Sequence, residues 1–271
     1  MFSRPTAAVA CSALLLVLAA CSSTGPTVPF PAHVSVDGLP DMYLAGLPGV
    51  RAKPLVGATS DATGGSYRID LPTTWQGTSG AAPDKSLEIF VIEGELSVAD
   101  VRLKRGGYAY LPPGTLGFNL KSATGARVLY FLDDVEPSAA IRTPLILEST
   151  VLEWEETDVD GMSKKVLRSD PGSGARAWLL RVEPGAAVPW ESSSVNREGY
   201  FLTGNYMHTE CVAGEPATDR YIPGMYLYRP GGSINGGPES VAESTSIWFF
   251  RELSESEETT HERCEVTATT Y

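Results

Sequence analysis

Four blocks of this chain recur in the same order, each about 110 to 117 residues after its first appearance. Gly49-Val50-Arg51-Ala52-Lys53-Pro54-Leu55 returns as Gly161-Met162-Ser163-Lys164-Lys165-Val166-Leu167. Ser66-Tyr67-Arg68-Ile69-Asp70-Leu71-Pro72 returns as Ala177-Trp178-Leu179-Leu180-Arg181-Val182-Glu183-Pro184. Glu88 stands six residues before Gly94, as Glu198 does before Gly204. Gly107-Tyr108-Ala109-Tyr110-Leu111-Pro112-Pro113-Gly114 returns as Gly224-Met225-Tyr226-Leu227-Tyr228-Arg229-Pro230-Gly231. A chain so built folds as two copies of one small domain. The joint falls near residues 136–142. Within each copy the apolar runs are short, as in Glu88-Ile89-Phe90-Val91-Ile92 or Ser246-Ile247-Trp248-Phe249-Phe250. They are rich in Val, Ile, Tyr, Phe and Trp and are closed by Gly or Pro. No long 3.6-residue period appears, so the fold class predicted is all-β.

The first residues read as an address. Arg4 precedes the fourteen-residue apolar run AAVACSALLLVLAA, too short to span a bilayer comfortably and right for a signal-peptide core. Leu18-Ala19-Ala20-Cys21 ends it and resembles the bacterial lipobox, in which the Cys is acylated and becomes the mature N-terminus. The reading is a lipoprotein signal peptide over residues 1–20, lipidation at Cys21 and a flexible tether over 21–42. The implied home is the bacterial cell envelope, with the membrane as partner through the N-terminal lipid. Ser22 stands where inner-membrane lipoproteins commonly carry Asp, which favours the outer membrane. Cys11 leaves with the signal, so Cys211 and Cys264 remain in an oxidising compartment. They are predicted to form a disulfide, the alternative being two separate buried thiols. The net charge of −12, from 21 Lys plus Arg against 33 Asp plus Glu with no basic cluster, argues against nucleic acid as a partner.

The repeated blocks resemble the cupin superfamily in its two-domain form. Each half has a strand with a Glu six residues before a Gly, LEIFVIEGEL and REGYFLTGNY. Each later has a strand entering a Pro-x-Gly turn, YLPPGTLGF and YRPGGSINGG. The resemblance covers about residues 45–252. It implies two tandem jelly-roll β-barrels, over 43–140 and 141–252, followed by an acidic tail over 253–271 that carries Cys264. Most catalytic cupins hold a metal with a His-x-His pair, a Glu four or five residues after it, and a later His beyond the Pro-x-Gly turn. Carried over here, the Glu positions are Glu88 and Glu198. The His-x-His regions are residues 80–85 and 190–194, and the late positions are Gly117 and Asn235; none contains His. The three His of the chain, His33, His208 and His261, lie elsewhere. The expectation is therefore no metal and no other cofactor.

The second barrel keeps the better candidate site. Alternation along a strand puts Glu198 and Tyr200 on one face. With Asn235, Tyr226 and Trp190 they would line a pocket of one carboxylate, one amide and several aromatics, suited to a small polar or sugar-like ligand. The bland alternative pairs Glu198 with Arg181 or Arg197 and leaves the tyrosines as filling. The first barrel offers only Glu88, Asp84, Tyr108 and Tyr110. The function expected is an envelope lipoprotein that binds a small ligand or acts as a scaffold, with binding favoured over turnover. The alternative is a metal-free isomerase, epimerase or lyase with Glu198 as base and Tyr200 or Tyr226 as acid. The resemblance also allows a homodimer.

Overall fold

The computed structural model describes residues 33–59, 63–78, 84–115, 117–134 and 136–266. The leader and Cys21 lie outside the described residues. Among the described residues, the helical segments are two short 3-10 turns, Val36–Gly38 and Ser149–Val151; the regular structure is otherwise antiparallel β.

The first half forms two sheets. A seven-stranded sheet runs Leu145–Glu148, Gly107–Leu111, Lys85–Gly94, Ala126–Asp134, Gly65–Leu71, Arg51–Pro54 and Met42–Tyr43. A four-stranded sheet of Trp75–Thr78, Asn119–Ser122, Leu96–Val98 and Val101–Leu103 closes over it. Their facing sides meet in one apolar core that includes Tyr67, Ile69, Leu87, Ile89, Val91, Val98, Leu111 and Tyr130. In the second half one eleven-stranded sheet supplies both layers. Its sixteen-residue strand Arg197–Val212 makes this possible, because register shifts between Phe201 and Tyr206 let it bend from one layer to the other.

The duplication persists in the register. Lys85–Gly94 lies between Gly107–Leu111 and Ala126–Asp134, with Glu88 opposite Tyr110. Arg197–Val212 begins between Met225–Arg229 and Val241–Glu252, with Glu198 opposite Tyr228. The glycine six residues after each Glu has positive φ, 77° at Gly94 and 103° at Gly204. A Cβ on Gly94 would fall 2.2 Å from the Gly125 carbonyl oxygen, so the turn there requires glycine.

The edges depart from the expected boundaries. Val34–Ser35, assigned to the tether, pairs with Met225 and Tyr226 of the second barrel, and Val36 beside it is fully buried. Leu145–Glu148, assigned to the second barrel, pairs with Gly107–Leu111 of the first. Each barrel thus covers an open sheet edge with chain from outside its own repeat. Part of the acidic tail is also structured: Glu258–His261 adds an edge strand to Trp190–Ser193. The Cys211–Cys264 disulfide is formed, with Cα atoms 5.4 Å apart, and fixes the end of that strand.

Between the barrels lies a second apolar core. Phe90, Tyr108, Leu129 and Phe131 of the first half pack on Leu167, Leu179, Tyr200, Tyr226 and Phe249 of the second. The rings of Phe131 and Phe249 stack 5.8 Å apart across the seam. The outer faces of the two central sheets are therefore buried on each other.

Candidate functional site

Alternation along Arg197–Val212 decides what faces the interior of the second barrel. Phe201 packs into the barrel core with Trp178, Trp248 and Phe250, and Arg197 lies against the Trp178 and Phe250 rings. Glu198 and Tyr200 point the other way, to the seam. The expected pocket of Glu198, Tyr200, Tyr226, Asn235 and Trp190 is thus not one place but three.

At the seam, the Tyr226 hydroxyl donates to Glu198 Oε2 at 2.7 Å, and Arg251 Nε lies 3.2 Å from Glu198 Oε1. The partner of Glu198 is Arg251, not Arg181 or Arg197. The first half repeats the pattern: Tyr108 donates to Glu88 at 2.8 Å, and Arg168 reaches Glu88 at 3.1 Å. Arg251 spans both halves, contacting Glu88 at 3.4 Å and Asp133 at 2.7 Å as well as Glu198. Burial pushes the Glu198 pKa up, against Arg251 and the Tyr226 hydrogen bond. Burial, reinforced by Glu198, pushes the Tyr226 hydroxyl well above its ordinary range. Tyr200 is also pushed up by burial, with Arg68 opposing. A cleft of about 460 Å³ opens beside this network, but Glu198, Arg168 and Arg251 are committed to binding one barrel to the other.

Trp190 lies in a third environment. It packs with Ile234 against the Cys211–Cys264 disulfide. Gly237, at φ 77°, lets the indole close over the turn, since a Cβ there would fall 2.1 Å from the ring. Next to it His261 Nε2 sits 2.9 Å from Ser192 Oγ.

Only Asn235 faces the interior of the second barrel, where a cavity of about 510 Å³ opens. Trp178, Trp248, Phe250 and Tyr206 form its aromatic walls; Arg197, Glu191, His208 and Arg229 supply charge and hydrogen bonding. Arg197 donates to Glu252 at 2.8 Å and lies 3.5 Å from Glu191. Arg229 forks onto Glu210 at 2.8 to 3.2 Å and reaches His208 Nε2 at 2.8 Å. Burial holds the His208 pKa down. Glu210 overcomes its burial through Arg229 and His208 and is lowered to about 2. Glu191 keeps about a third of its side chain exposed to the cavity, and burial raises its pKa against Arg197.

No family model matches the sequence, and no curated protein matches it. Solved structures do. A protein from Nostoc punctiforme provisionally described as a dioxygenase is 22% identical, with a TM-score of 0.64 and coverage of 82% of each chain. YlbA from E. coli is 18% identical, with a TM-score of 0.64, covering 82% of this chain and 90% of its own. An oxalate decarboxylase variant from Bacillus subtilis is 14% identical, with a TM-score of 0.62, covering 84% of this chain and 78% of its own. The fold is the cupin jelly roll, duplicated.

In a cupin frame the interior positions can be read directly. Of residues 190–194, carried over as the His-x-His region, Glu191 lines the cavity, as does Asn235, carried over as the late His position. Glu198, carried over as the cupin Glu, faces the seam, and its neighbour Arg197 faces the cavity. One carboxylate, one amide and a guanidinium do not fit a transition metal, because guanidinium has no lone pair to donate and repels a cation. Among the described residues no group of three or more His, Cys, Asp or Glu gathers as a ligand set. Among the described residues of the first barrel, Leu87 stands one residue before Glu88, as Arg197 does before Glu198, and is fully buried in a cluster of apolar side chains.

Proposed function

We propose that this protein is a bacterial envelope lipoprotein whose second cupin-like barrel binds a small polar organic ligand, with the first barrel as scaffold. One contrast carries the reading. Among the described residues, the first barrel's core is a cluster of apolar side chains, whereas the second barrel has a cavity with aromatic walls and a few buried polar groups, the usual makeup of a small-molecule site. A barrel kept only for stability would be filled, because an unfilled interior forfeits packing contacts. The lipid anchor at Cys21 would hold the site at the membrane surface; Cys21→Ser should move the protein from the membrane fraction to the soluble one.

The test is a thermal-shift screen against sugars, small carboxylates and their neutral analogues, repeated on Asn235→Leu. A compound that raises the melting temperature of the wild type but not of the variant supports the reading. A screen without any response sinks it.

The metal-free enzyme remains a second reading because of Glu191. Its carboxylate faces the cavity and its pKa is raised by burial, the direction a general base requires. Tyr200 and Tyr226 cannot serve as its acid, since both lie at the seam. If turnover of a bound compound is found, Glu191→Gln should abolish it while leaving affinity within a few-fold.

A further inference from the structure

Two guanidiniums, Arg176 and Arg197, stand at the mouth of the second barrel, answered by two carboxylates that are not equivalent. Glu252 belongs to the barrel wall and is buried. It accepts from Arg176 Nε at 2.5 Å, Arg197 Nε at 2.8 Å, Ser193 Oγ at 3.1 Å and Ser256 Oγ at 2.9 Å. Glu258 comes from the edge strand laid down after the barrel is complete. Its side chain is 41% exposed, and its contacts with Arg176 Nη2, at 2.7 Å, and with Arg197 Nη2 all fall on Oε1. Arg197 is 7% exposed and cannot do without a counter-charge, because a buried cation lacks water's compensation. The buried Glu252 already meets that need, so Glu258 adds a second, 41% exposed carboxylate whose displacement leaves Arg197 paired.

Behind the pair runs an aromatic wall. Trp178 carries both guanidiniums, 4.7 Å and 5.3 Å from its ring. Phe250 stacks on Trp178 at 5.6 Å, and Trp248 on Phe250 at 5.4 Å. An anion seated on the two arginines would lay its body along these rings.

Resting on the reading of this cavity as a ligand site, we infer that it takes a small monocarboxylate with a flat, largely apolar body, seated where the Glu258 carboxylate now sits. The C-terminal strand thus supplies an internal competitor of the ligand, and ligand entry needs a side-chain swing, not release of the strand. The pairing of Glu258–His261 with Trp190–Ser193 and the Cys211–Cys264 bond hold the backbone in place meanwhile.

Phenylacetate and its uncharged isostere phenylacetamide test this, with the full chain titrated by the fluorescence of the tryptophans in the wall. Glu258→Ala should bind phenylacetate about three- to fivefold tighter than wild type, the scale of a partly exposed charge pair, with phenylacetamide unchanged. Arg176→Gln on top of Glu258→Ala should lose the gain. Glu258→Gln, closer in shape, should show the same direction and guards against a loosened strand. Equal phenylacetate affinity in wild type and both Glu258 variants overturns the inference, and so does an equal gain for phenylacetamide. If phenylacetamide or a neutral sugar binds while phenylacetate does not, the cavity reading stands and the carboxylate seat falls. Silence from every probe in every variant removes both.

Discussion

Arg251→Met is the sharpest perturbation of the architecture, because one side chain joins the two halves. Arg251 is 1% exposed and faces Asp133 at 2.7 Å, Glu198 at 3.2 Å and Glu88 at 3.4 Å, with its guanidinium 4.1 Å from the Phe131 ring. At an effective dielectric constant of about 20, each contact is worth roughly 5–6 kcal/mol of gross attraction. Desolvation of the buried ions cancels most of it. Removing one partner exposes that cost, since the carboxylates stay buried with only Arg168 nearby. The net loss expected is about 3–5 kcal/mol near neutral pH. The sign of the pH dependence follows from Glu198, whose pKa already lies above its ordinary 4.5 because burial outweighs Arg251 and Tyr226. Without Arg251 it climbs further. A carboxyl raised in the folded state binds its proton more tightly there than in the unfolded chain. Stability is then greatest below the ordinary value and falls as pH rises through the raised one. The deficit of Arg251→Met should therefore shrink as pH drops from about 7 toward about 5. Adding Glu198→Gln should restore part of it, because the orphaned charge is gone. Urea unfolding followed by tryptophan fluorescence measures all three. A loss under about 1 kcal/mol, or a deficit that grows on acidification, would refute the clamp.

Three further outcomes are expected. Cys211→Ser with Cys264→Ser should cost about 4 kcal/mol in urea unfolding, the chain-entropy worth of a link 53 residues apart, and dithiothreitol should reproduce it in the wild type. Glu210, lowered to about 2 in the fold, contributes stability that is complete above the ordinary 4.5 and is lost as pH falls through about 2; Glu210→Gln should flatten that acid limb in a pH series of melting temperatures. Gly237→Ala should destabilise by about 1–3 kcal/mol and shift tryptophan emission, because a methyl at φ 77° meets the Trp190 ring; unchanged emission would mean the turn relaxes elsewhere.

The fold was legible because it was written twice. Gly94 and Gly204 both take positive φ six residues after their Glu, and Glu88 and Glu198 stand opposite equivalent tyrosines, Tyr110 and Tyr228. Repetition of that kind survives in sequence. The disulfide was legible for a different reason: Cys211 and Cys264 are the two cysteines that follow Cys21. The exchanged edges were not. Val34–Ser35 is two residues of strand, too short to leave a period, and it pairs with a strand some 190 residues away. The contact that recruits it is the open edge of the second barrel, a property of the folded sheet and not of the local chain.

The site failed on parity. In Arg197-Glu198-Gly199-Tyr200-Phe201 both faces of the strand carry one charge and one aromatic side chain, with Gly199 between, so alternation exists without a hydrophobic side to orient it. That is what a strand buried on both faces looks like, with one face on a barrel interior and the other on its twin barrel. A one-residue slip then exchanges the seam for the cavity wholesale. The distinguishing signal lay in the first half. There Leu87, Ile89 and Val91 make a wholly aliphatic face, whereas Glu88 and Phe90 share the other with Tyr108 and Phe131. Aligning the halves on that aliphatic face puts Arg197, Gly199 and Phe201 inside and Glu198 at the seam. In the same step it identifies Arg197 as the one charged residue in a row that is otherwise apolar in its twin. A charge that breaks such a row must be supported from elsewhere in the barrel. Glu252, Glu258 and Glu191 provide that support here.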